Sequence, residues 1–366
     1  MTGKRKNHII HTQMNVSIFT IALIIITSLS CQRDLLQRAT AAPAESEQLV
    51  LFSNTPQENL SPTKWDIGNT IISNEARLEL YHPHIKDIGG GYISVGGTQN
   101  FILASWANSE WVWLMDFTRR VVAANKIHIA FLKHAENPAA FRELWKKKSY
   151  KTVEKILKDE YSQLPEYQFI RQTWNVGRQY IPWRFGSLDR LVKKRKYKIW
   201  LNDQDLYQRL RSLAQRGRIM AVRGNLNGPT TVLGVAETAK KMQVPIRIIY
   251  FSNAEEYMRT YSPQFRKNFT ALPVDEKSKV LRTISVYQRL FPWSPDSILS
   301  SEKGFHYNIM PAGVFQSWLD QTPGRLNVVD IMRKGEVNRK DGFSVVNALP
   351  VVPEPPKKDT PAQTGK

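Results

Sequence analysis

Cysteine is almost absent from this chain. Cys31 is the only one among 366 residues, which excludes an intramolecular disulfide and any metal site built from several thiolates. The sequence also lacks a Gly-x-Ser-x-Gly turn, a His-Glu-x-x-His helix and a glycine-rich P-loop, so hydrolase and NTPase functions are disfavoured. His82 and His84 flank a proline without a third ligand nearby, a pattern typical of a surface turn. No metal site is expected.

Acidic residues are scarce relative to basic ones. Asp and Glu number 32 against 52 Lys and Arg, which gives a formal charge of +20. Such a charge favours anionic partners: nucleic acid, acidic lipid headgroups, cell-wall polymers or phosphorylated ligands. The hydrophobic fraction of 42%, with ten Trp and fifteen Phe, is ample for a folded globular protein.

Long apolar runs are missing except for one near the amino terminus. Lys4, Arg5 and Lys6 precede an uncharged run over Val16–Leu29, which at about 14 residues has the length of a signal-peptide core rather than of a spanning helix. Cys31 follows at once and resembles the lipidated cysteine of a bacterial lipobox, although Ser28 stands where an aliphatic residue is usual. Residues 1–31 are therefore predicted to be a lipoprotein signal peptide.

Two alternatives remain for this segment. Ala39 and Ala41 form an A-x-A sequence where cleavage could occur instead, and the apolar run could also stay as an uncleaved anchor. Each alternative keeps the basic residues on the cytoplasmic side and places the folded domain outside, in the cell envelope. Residues 32–64, rich in Ala, Gln, Ser, Pro and Asn, are predicted to be a flexible tether, and the proline-rich residues 350–366 a disordered tail.

Residues 65–349 are predicted to form one α/β domain with a mostly parallel sheet. Its clearest unit is Gly89–Asp116, which gives a strand, the Gly96-Gly97 turn, a helix from about Gln99, and a second strand that ends on Asp116. In doubly wound folds this order binds nucleotide-like ligands, with an acid at the second strand end. Gly96, Gly97, Gln99, Asn100 and Asp116 are therefore predicted to bind a ligand. An ordinary strand-to-helix turn is the alternative.

Later strand ends also carry polar residues, and parallel strands would gather them at one edge of the sheet. Arg119 follows Asp116 and could clamp a phosphate or carboxylate. Arg223 and Asn225 follow a short strand over Ile219–Val222, before a helix that Pro229 opens.

The apolar strand Ile246–Phe251 ends in a second polar loop. Ser252, Asn253 and Glu255 follow it, and Ser252 or Asn253 is suited to cap a helix. Ile67–Leu80 is predicted to be a helix that precedes the domain's first strand. Lys279–Tyr287 and Phe305–Ile309 are predicted to be two paired strands.

Residues 138–217 are predicted to be a helical, basic insertion. Two lysine-rich clusters, near residues 146–158 and 193–198, enclose several aromatic residues. The mixture suits single-stranded nucleic acid or an anionic membrane surface, and for an exported protein lipid is the more accessible partner. A helical layer with a packed aromatic face and a solvated basic face is the third interpretation. Nucleic acid is the least favoured partner.

Several segments together resemble a family of uncharacterised bacterial proteins related to class I S-adenosylmethionine-dependent methyltransferases. These segments are Val95–Phe101, Trp113–Asp116 with Arg119-Arg120, Arg223–Asn225 with Gly228-Pro229, and Tyr250–Tyr257. The resemblance implies a Rossmann-like fold with S-adenosylmethionine as a possible cofactor. It also implies that Gly96, Gly97 and Asp116 lie at the methionine-and-ribose end of the site. The substrate loop reads RGNLNG rather than [DN]-P-P-[YF], which disfavours the familiar amine methylation.

These patterns give a leading hypothesis and two alternatives. The leading one is an exported, lipid-anchored protein whose methyltransferase-like domain binds a small nucleoside-like or anionic ligand, with catalysis left open. The first alternative is a true methyltransferase, which would need a cytosolic cofactor outside the cytoplasm. The second is a non-enzymatic envelope scaffold whose basic insertion docks on anionic lipid or cell-wall polymer.

Overall fold

A computed structural model of the chain describes residues 43–66, 68–286, 291, 294 and 304–351. The predicted signal peptide with Cys31, the first part of the predicted tether and nearly all of the predicted tail lie outside the described residues. The described residues from Ser46 onward form one compact unit.

An eight-stranded mixed sheet forms the centre of this unit. Its strands are β1 (Gly91–Val95), β2 (Trp111–Asp116), β3 (Ile219–Arg223), β4 (Ile246–Tyr250), β5 (Lys279–Ser285), β6 (Phe305–Pro311), β7 (Glu336–Asn338) and β8 (Phe343–Val345). They are ordered β3-β2-β1-β4-β5-β6-β8-β7. The first five of that order are mutually parallel, and β6 then pairs antiparallel with β5. An α/β fold with a mostly parallel sheet is therefore confirmed, together with the predicted pairing of the strands at 279 and 305.

Helices cover both faces of the sheet. They are α1 (Glu45–Ser53), α2 (His82–Ile85), α3 (Gln99–Ala107), α4 (Arg119–His134), α5 (Pro138–Glu143), α6 (Tyr150–Tyr161), α7 (Tyr167–Arg195), α8 (Gln204–Gln215), α9 (Thr231–Lys241), α10 (Pro263–Thr270), α11 (Ala312–Gln321) and α12 (Val328–Met332). Because neighbouring strand residues point to opposite faces, Val112 and Leu114 pack with α3, α4 and the long α7, whereas Trp111 and Trp113 pack with α1, α9 and α10.

Residues 138–217 hold α5 to α8 within the connection from β2 to β3. Their aromatic residues divide between two environments. Trp145 and Trp174 are buried in the core, whereas Trp183 on α7 is 62% exposed. Most lysines of the two clusters are exposed as well. The connection therefore has a packed face and a solvated basic face.

The tether predicted over residues 32–64 is wrong for its later half. Residues 45–53 form helix α1, and Phe52 is almost fully buried against Trp111 and Trp113, with ring centroids 5.1 and 4.7 Å apart. Thr55 and Glu58 are buried too. The polar average composition of this stretch concealed the one aromatic side chain, Phe52, that packs into the core.

The helix predicted over Ile67–Leu80 is also wrong. The described part holds two short 3-10 turns, Gly68–Ile71 and Leu78–Leu80, and no helix joins them. The backbone N–H groups of Ala76 and Arg77 donate to the Tyr307 hydroxyl at 2.9 Å each instead of to helix carbonyls. Tertiary hydrogen bonds have overridden helix propensity here.

Candidate functional site

The carboxyl ends of β3, β2, β1, β4 and β5 lie on one edge of the sheet, called here the carboxyl edge. The chain winds outward from β1 in both directions, since β2 and β4 flank it. Open α/β sheets bind ligands in the crevice outside such a reversal of strand order. Asp116 and Arg223 are register partners on β2 and β3, so the structure brings these two predicted site residues side by side.

The Gly96-Gly97 turn at the end of β1 is covered by the chain itself. Gly96 has a φ of +95°, which favours glycine. A Cβ on Gly97 would lie 2.6 Å from the backbone carbonyl oxygen of Ile71. The segment before β1 therefore lies directly on the turn that sequence reasoning assigned to a ligand.

Asp116 holds this turn in place. Its Oδ2 accepts the Gly96 N–H at 3.0 Å, and its Oδ1 accepts the Thr118 N–H and hydroxyl at 2.8 Å each. Burial raises the pKa of the Asp116 carboxyl, while the bonds from Thr118 and Gly96 act in the opposite direction. The predicted contact with a ribose is not supported, because the carboxylate is 7% exposed and occupied by three internal donors.

Gln99 and Asn100 are buried as well, at 3% and 0% exposure. The Asn100 side chain accepts from the Tyr92 hydroxyl and donates to the Val95 carbonyl, both at about 3 Å. These bonds fasten helix α3 to strand β1. For Asn100 a structural role therefore replaces the predicted one in ligand binding. The buried Gln99 Oε1 has no hydrogen-bond partner, and the predicted role of Gln99 stays a prediction.

Glu255 does not reach a ligand either. It is fully buried and pairs with the fully buried Arg282, whose Nε lies 2.6 Å from its Oε2, while the Tyr261 hydroxyl donates to its Oε1. Burial raises the pKa of the Glu255 carboxyl, and the Arg282 charge opposes that rise. Asn253 stands at the N-cap position of Ala254–Tyr257, which is a 3-10 turn rather than the predicted helix, but its side chain makes no capping hydrogen bond to the backbone.

Ser252 belongs to a buried polar cluster that the sequence did not reveal. Glu75, 2% exposed, accepts hydrogen bonds from four hydroxyl groups. These donors, at 2.5–3.1 Å, are Ser73, Tyr250, Ser252 and Thr283. The Glu75 side chain thus lies at the carboxyl ends of β4 and β5 and is bonded to residues of both strands. Its partners are as far as 208 residues away in the chain, so no local pattern could have indicated it.

Arg119 and Arg223 line an open cleft at the carboxyl ends of β2 and β3, called here the basic cleft. Its volume is about 310 Å³, and Val122, Ala123 and Phe169 form its apolar part. The Arg119 guanidinium lies 4.0 Å from the centre of the Phe169 ring, a cation–π contact that fixes the arginine without neutralising it.

Arg223 has unused hydrogen-bonding capacity. Its Nη2 donates to the carbonyls of Leu60 and Ser61 at 3.1 and 3.2 Å. Its Nε and Nη1 are buried and have no partner. Burial lowers the pKa of this guanidinium, which nonetheless stays charged because arginine titrates far above neutral pH. A half-buried cation with two unpaired donors is complementary to an anion.

The opposite wall of the basic cleft comes from residues 57–60. Glu58 of this wall is 9% exposed, and its Oε2 accepts the backbone N–H of Asn225 at 2.7 Å. The Asn225 backbone therefore belongs to this edge, and the Asn225 side chain is exposed and accepts the Asn227 N–H at 2.9 Å. Its contact with a ligand stays a prediction. Glu58 was missed because it lies in a polar stretch that composition assigned to a tether.

No group of three or more His, Cys, Asp or Glu side chains is arranged to hold a metal ion in the described ranges. Among the helices described, none combines the length and the apolar character that crossing a bilayer requires.

Comparison with known proteins gives one family. The family model described as Domain of unknown function (DUF7790) matches residues 70–347. That range contains the whole sheet, Arg119 and Arg223, whereas Glu58 precedes it. No curated protein matches the chain.

Proposed function

The chain belongs to the DUF7790 family, and for this member we propose a binding function, in which the basic cleft takes a small ligand that carries a phosphate or carboxylate group. The observation that carries the proposal is Arg223, whose Nε and Nη1 are buried without partners beside Arg119. An anion that accepted both hydrogen bonds would satisfy donors that the protein leaves unpaired. Hydrogen bonds to charged groups contribute about 1.5–3 kcal/mol each.

The proposal includes a Rossmann-like, methyltransferase-like fold for the domain. It is supported by the order β3-β2-β1-β4-β5, which is the order of the first five strands in doubly wound nucleotide-binding sheets. S-adenosylmethionine is not the proposed ligand. The turn it would need is covered by Ile71, and the acid that would hold its ribose is bonded to Gly96 and Thr118.

The proposal also places this domain in the cell envelope, anchored by lipid on Cys31. The support is the basic and apolar amino-terminal sequence that ends on that cysteine. Outside the cytoplasm an anionic ligand is available where a cytosolic cofactor is not. Catalysis is not part of the proposal, since the acids at the carboxyl edge are buried and internally bonded.

Binding of simple anions tests the proposed function. Inorganic phosphate, pyrophosphate and citrate would be titrated by calorimetry into the full-length chain in detergent. We expect at least one to bind, and Arg223→Met to weaken that binding by at least about 10- to 100-fold, which corresponds to the loss of one charged hydrogen bond. Arg119→Met should weaken it less, because its contribution is charge alone.

Arg190→Met is the matched control, since it removes an exposed arginine on α7 away from the cleft. It should leave the affinity unchanged. The proposal is wrong if none of the three anions binds, or if Arg223→Met and Arg119→Met bind them as tightly as the wild type.

A further inference from the structure

Residues 55–61, called here the strap, cross the carboxyl end of β3 in an extended path without helix or strand. The strap forms one wall of the basic cleft through residues 57–60. Most of its side chains are exposed, and the two buried ones are Thr55 and Glu58. Glu58 is therefore the main anchor of the strap next to the cleft.

The Glu58 carboxylate lies against the loop between β3 and α9. Its Oε1 accepts the backbone N–H groups of Thr230 and Thr231 at 3.0 and 3.2 Å. Its Oε2 accepts the Asn225 N–H at 2.7 Å and the Thr231 hydroxyl at 3.1 Å. Backbone donors at the start of a helix are the arrangement that proteins use to bind phosphate and carboxylate groups.

The loop is shaped around this carboxylate. A Cβ on Gly228 would lie 2.0 Å from the Glu58 Oε1, so only glycine lets the loop approach so closely. Pro229 has no N–H and leaves the following two amides as the donors that face the carboxylate. The loop thus encloses an anion that belongs to a segment more than 160 residues away in the sequence.

The strap also forms hydrogen bonds with Arg223 of the basic cleft. Arg223 donates its backbone N–H to the Gln57 side chain at 3.1 Å, and its Nη2 donates to the carbonyls of Leu60 and Ser61. These carbonyls satisfy only part of the guanidinium, because Nε and Nη1 stay unpartnered. The strap is therefore bonded to the loop and to Arg223 but is an incomplete partner for the arginine.

We propose that the strap is an autoinhibitory latch of the basic cleft, in which the Glu58 carboxylate holds the place of an anionic group of the ligand. A ligand with two anionic groups, such as a diphosphate, would replace the Glu58 carboxylate at the loop with one group. Its other group would accept hydrogen bonds from the unpaired Nε and Nη1 of Arg223, and the strap would move away from the cleft. The proposal rests on the proposed function, since it concerns access to the same cleft. It differs from a purely structural role for Glu58, which would make the strap a fixed part of the fold.

The first test is Glu58→Ala with inorganic pyrophosphate as the probe. Removing the carboxylate leaves the three backbone N–H donors of the loop free, while the Thr231 hydroxyl keeps the Arg223 carbonyl as its acceptor at 2.7 Å. The variant should therefore bind pyrophosphate at least tenfold more tightly than the wild type. Acetate or phosphate should also raise its melting temperature more than that of the wild type, because a small anion refills the empty place. Glu47→Ala is the matched control, since it removes an exposed acid on α1 and should leave the affinity unchanged.

The second test uses the unaltered chain and covers the case in which Glu58→Ala does not fold. Hydrogen exchange of the strap amides should become faster when pyrophosphate saturates the protein, whereas the amides of Asn225 and Thr231 should stay protected. Unchanged exchange in the strap would overturn the latch, and so would a Glu58→Ala variant that binds no more tightly than the wild type. If those results occur while Arg223→Met still loses binding, the basic cleft stands and only the latch is wrong. If no anion binds to any variant, both proposals are wrong.

Discussion

Four buried carboxylates lie at or near the carboxyl edge of the sheet, and each has different partners. Glu58 accepts hydrogen bonds mainly from backbone amides, and Glu75 accepts them from hydroxyl groups. Asp116 accepts hydrogen bonds from the Gly96 amide and from Thr118, and Glu255 forms an ion pair with Arg282. A buried carboxylate without such partners would be strongly destabilising. The partners, rather than the acids, therefore decide which of these residues could be exchanged for a ligand, and only Glu58 borders an open cleft.

The buried side chain of His128 is expected to make the stability of the protein depend on pH. Its ring is fully buried against Phe101 and Trp145, its Nδ1 lies 2.7 Å from the Ala124 carbonyl, and its Nε2 has no partner. Burial lowers its pKa from 6.5 to about 4, opposed only by the Ala124 bond. The folded protein thus binds the second ring proton less readily than the unfolded chain. The stability from His128 is complete above pH 6.5 and is lost as the pH falls towards 4.

Between pH 7.5 and pH 5 this loss should be about 2 kcal/mol in the free energy of unfolding. Urea denaturation at the two pH values measures it, and His128→Phe should remove that part of the difference. His134→Gln is the control, because His134 is exposed and paired with Glu160 on the surface. An equal pH dependence in the wild type and in His128→Phe would contradict the prediction.

At the scale of elements, the segment before β1 covers most of the carboxyl edge. The strap lies at β3, Ile71 lies on the turn after β1, and Glu75 lies at β4 and β5. An extended segment across this edge fills the crevice that an open α/β sheet offers to a ligand. The part beside β2 and β3 remains open as the basic cleft.

Gly97→Ala tests how firmly this segment is packed. The new Cβ would lie 2.6 Å from the Ile71 carbonyl oxygen, which is backbone and has to move. We expect the free energy of unfolding to fall by about 1–3 kcal/mol, the usual effect of overpacking. Gly313→Ala in helix α11 is the matched control, since its Cβ would meet nothing within 4 Å, and it should be neutral or stabilising by up to about 1 kcal/mol. Equal stability of the two variants in thermal or urea denaturation would show that the segment yields easily.

Prediction from sequence worked best where structure is periodic and local. The strand at Trp111–Asp116, the helix after Gly97 and the strand at residue 246 were predicted to within about one residue, because apolar runs and glycine turns are local signals. The same signals failed at Ile67–Leu80 and at α1. There, long-range partners such as Tyr307 and Trp113 decide the backbone path.

The candidate site was predicted only in part for the same reason. Arg119 and Arg223 lie together in the basic cleft, as the convergence of strand ends in a parallel sheet predicts, and their binding of a ligand stays a prediction. Gly96, Asp116 and Glu255 were assigned to a ligand although the fold uses them internally. Whether a polar residue at a strand end faces solvent or the chain depends on what covers it. In this protein the covering segment precedes β1, and no pattern in its sequence indicates that it packs over the carboxyl edge.

At the scale of the whole molecule, the charge of +20 is concentrated partly on an exposed helix surface. Lys193 and Lys196 near the end of α7 are exposed, and Trp183 lies 62% exposed on the same helix. Exposed lysines and an exposed tryptophan on one helical segment suit an anionic membrane surface. A lipid on Cys31 together with this basic surface would provide the two signals that stable membrane attachment requires.

Membrane association is therefore expected to have two separable parts. Cys31→Ser should release most of the protein from the membrane fraction of cells. Lys193→Glu with Lys196→Glu should weaken binding of the purified chain to anionic liposomes by about 30-fold or more, since each basic residue near such a surface contributes about 1 kcal/mol. That binding should disappear in high salt. Lys267→Glu with Lys277→Glu, an equal charge change at exposed sites elsewhere, is the control, and an equal loss in both pairs would contradict a localised surface.

The covalent attachment of Glu58 has a consequence for the concentration at which the basic cleft responds. A carboxylate tethered by a short stretch of chain competes with free anions at an effective concentration on the order of millimolar or more. Dilute single anions would lose this competition, whereas a ligand that engages Arg223 and the Asn225–Thr231 loop together gains from both contacts. The strap thus sets a threshold: anions with one binding group would not displace Glu58 below that effective concentration, whereas a ligand with two anionic groups could displace it at a lower concentration.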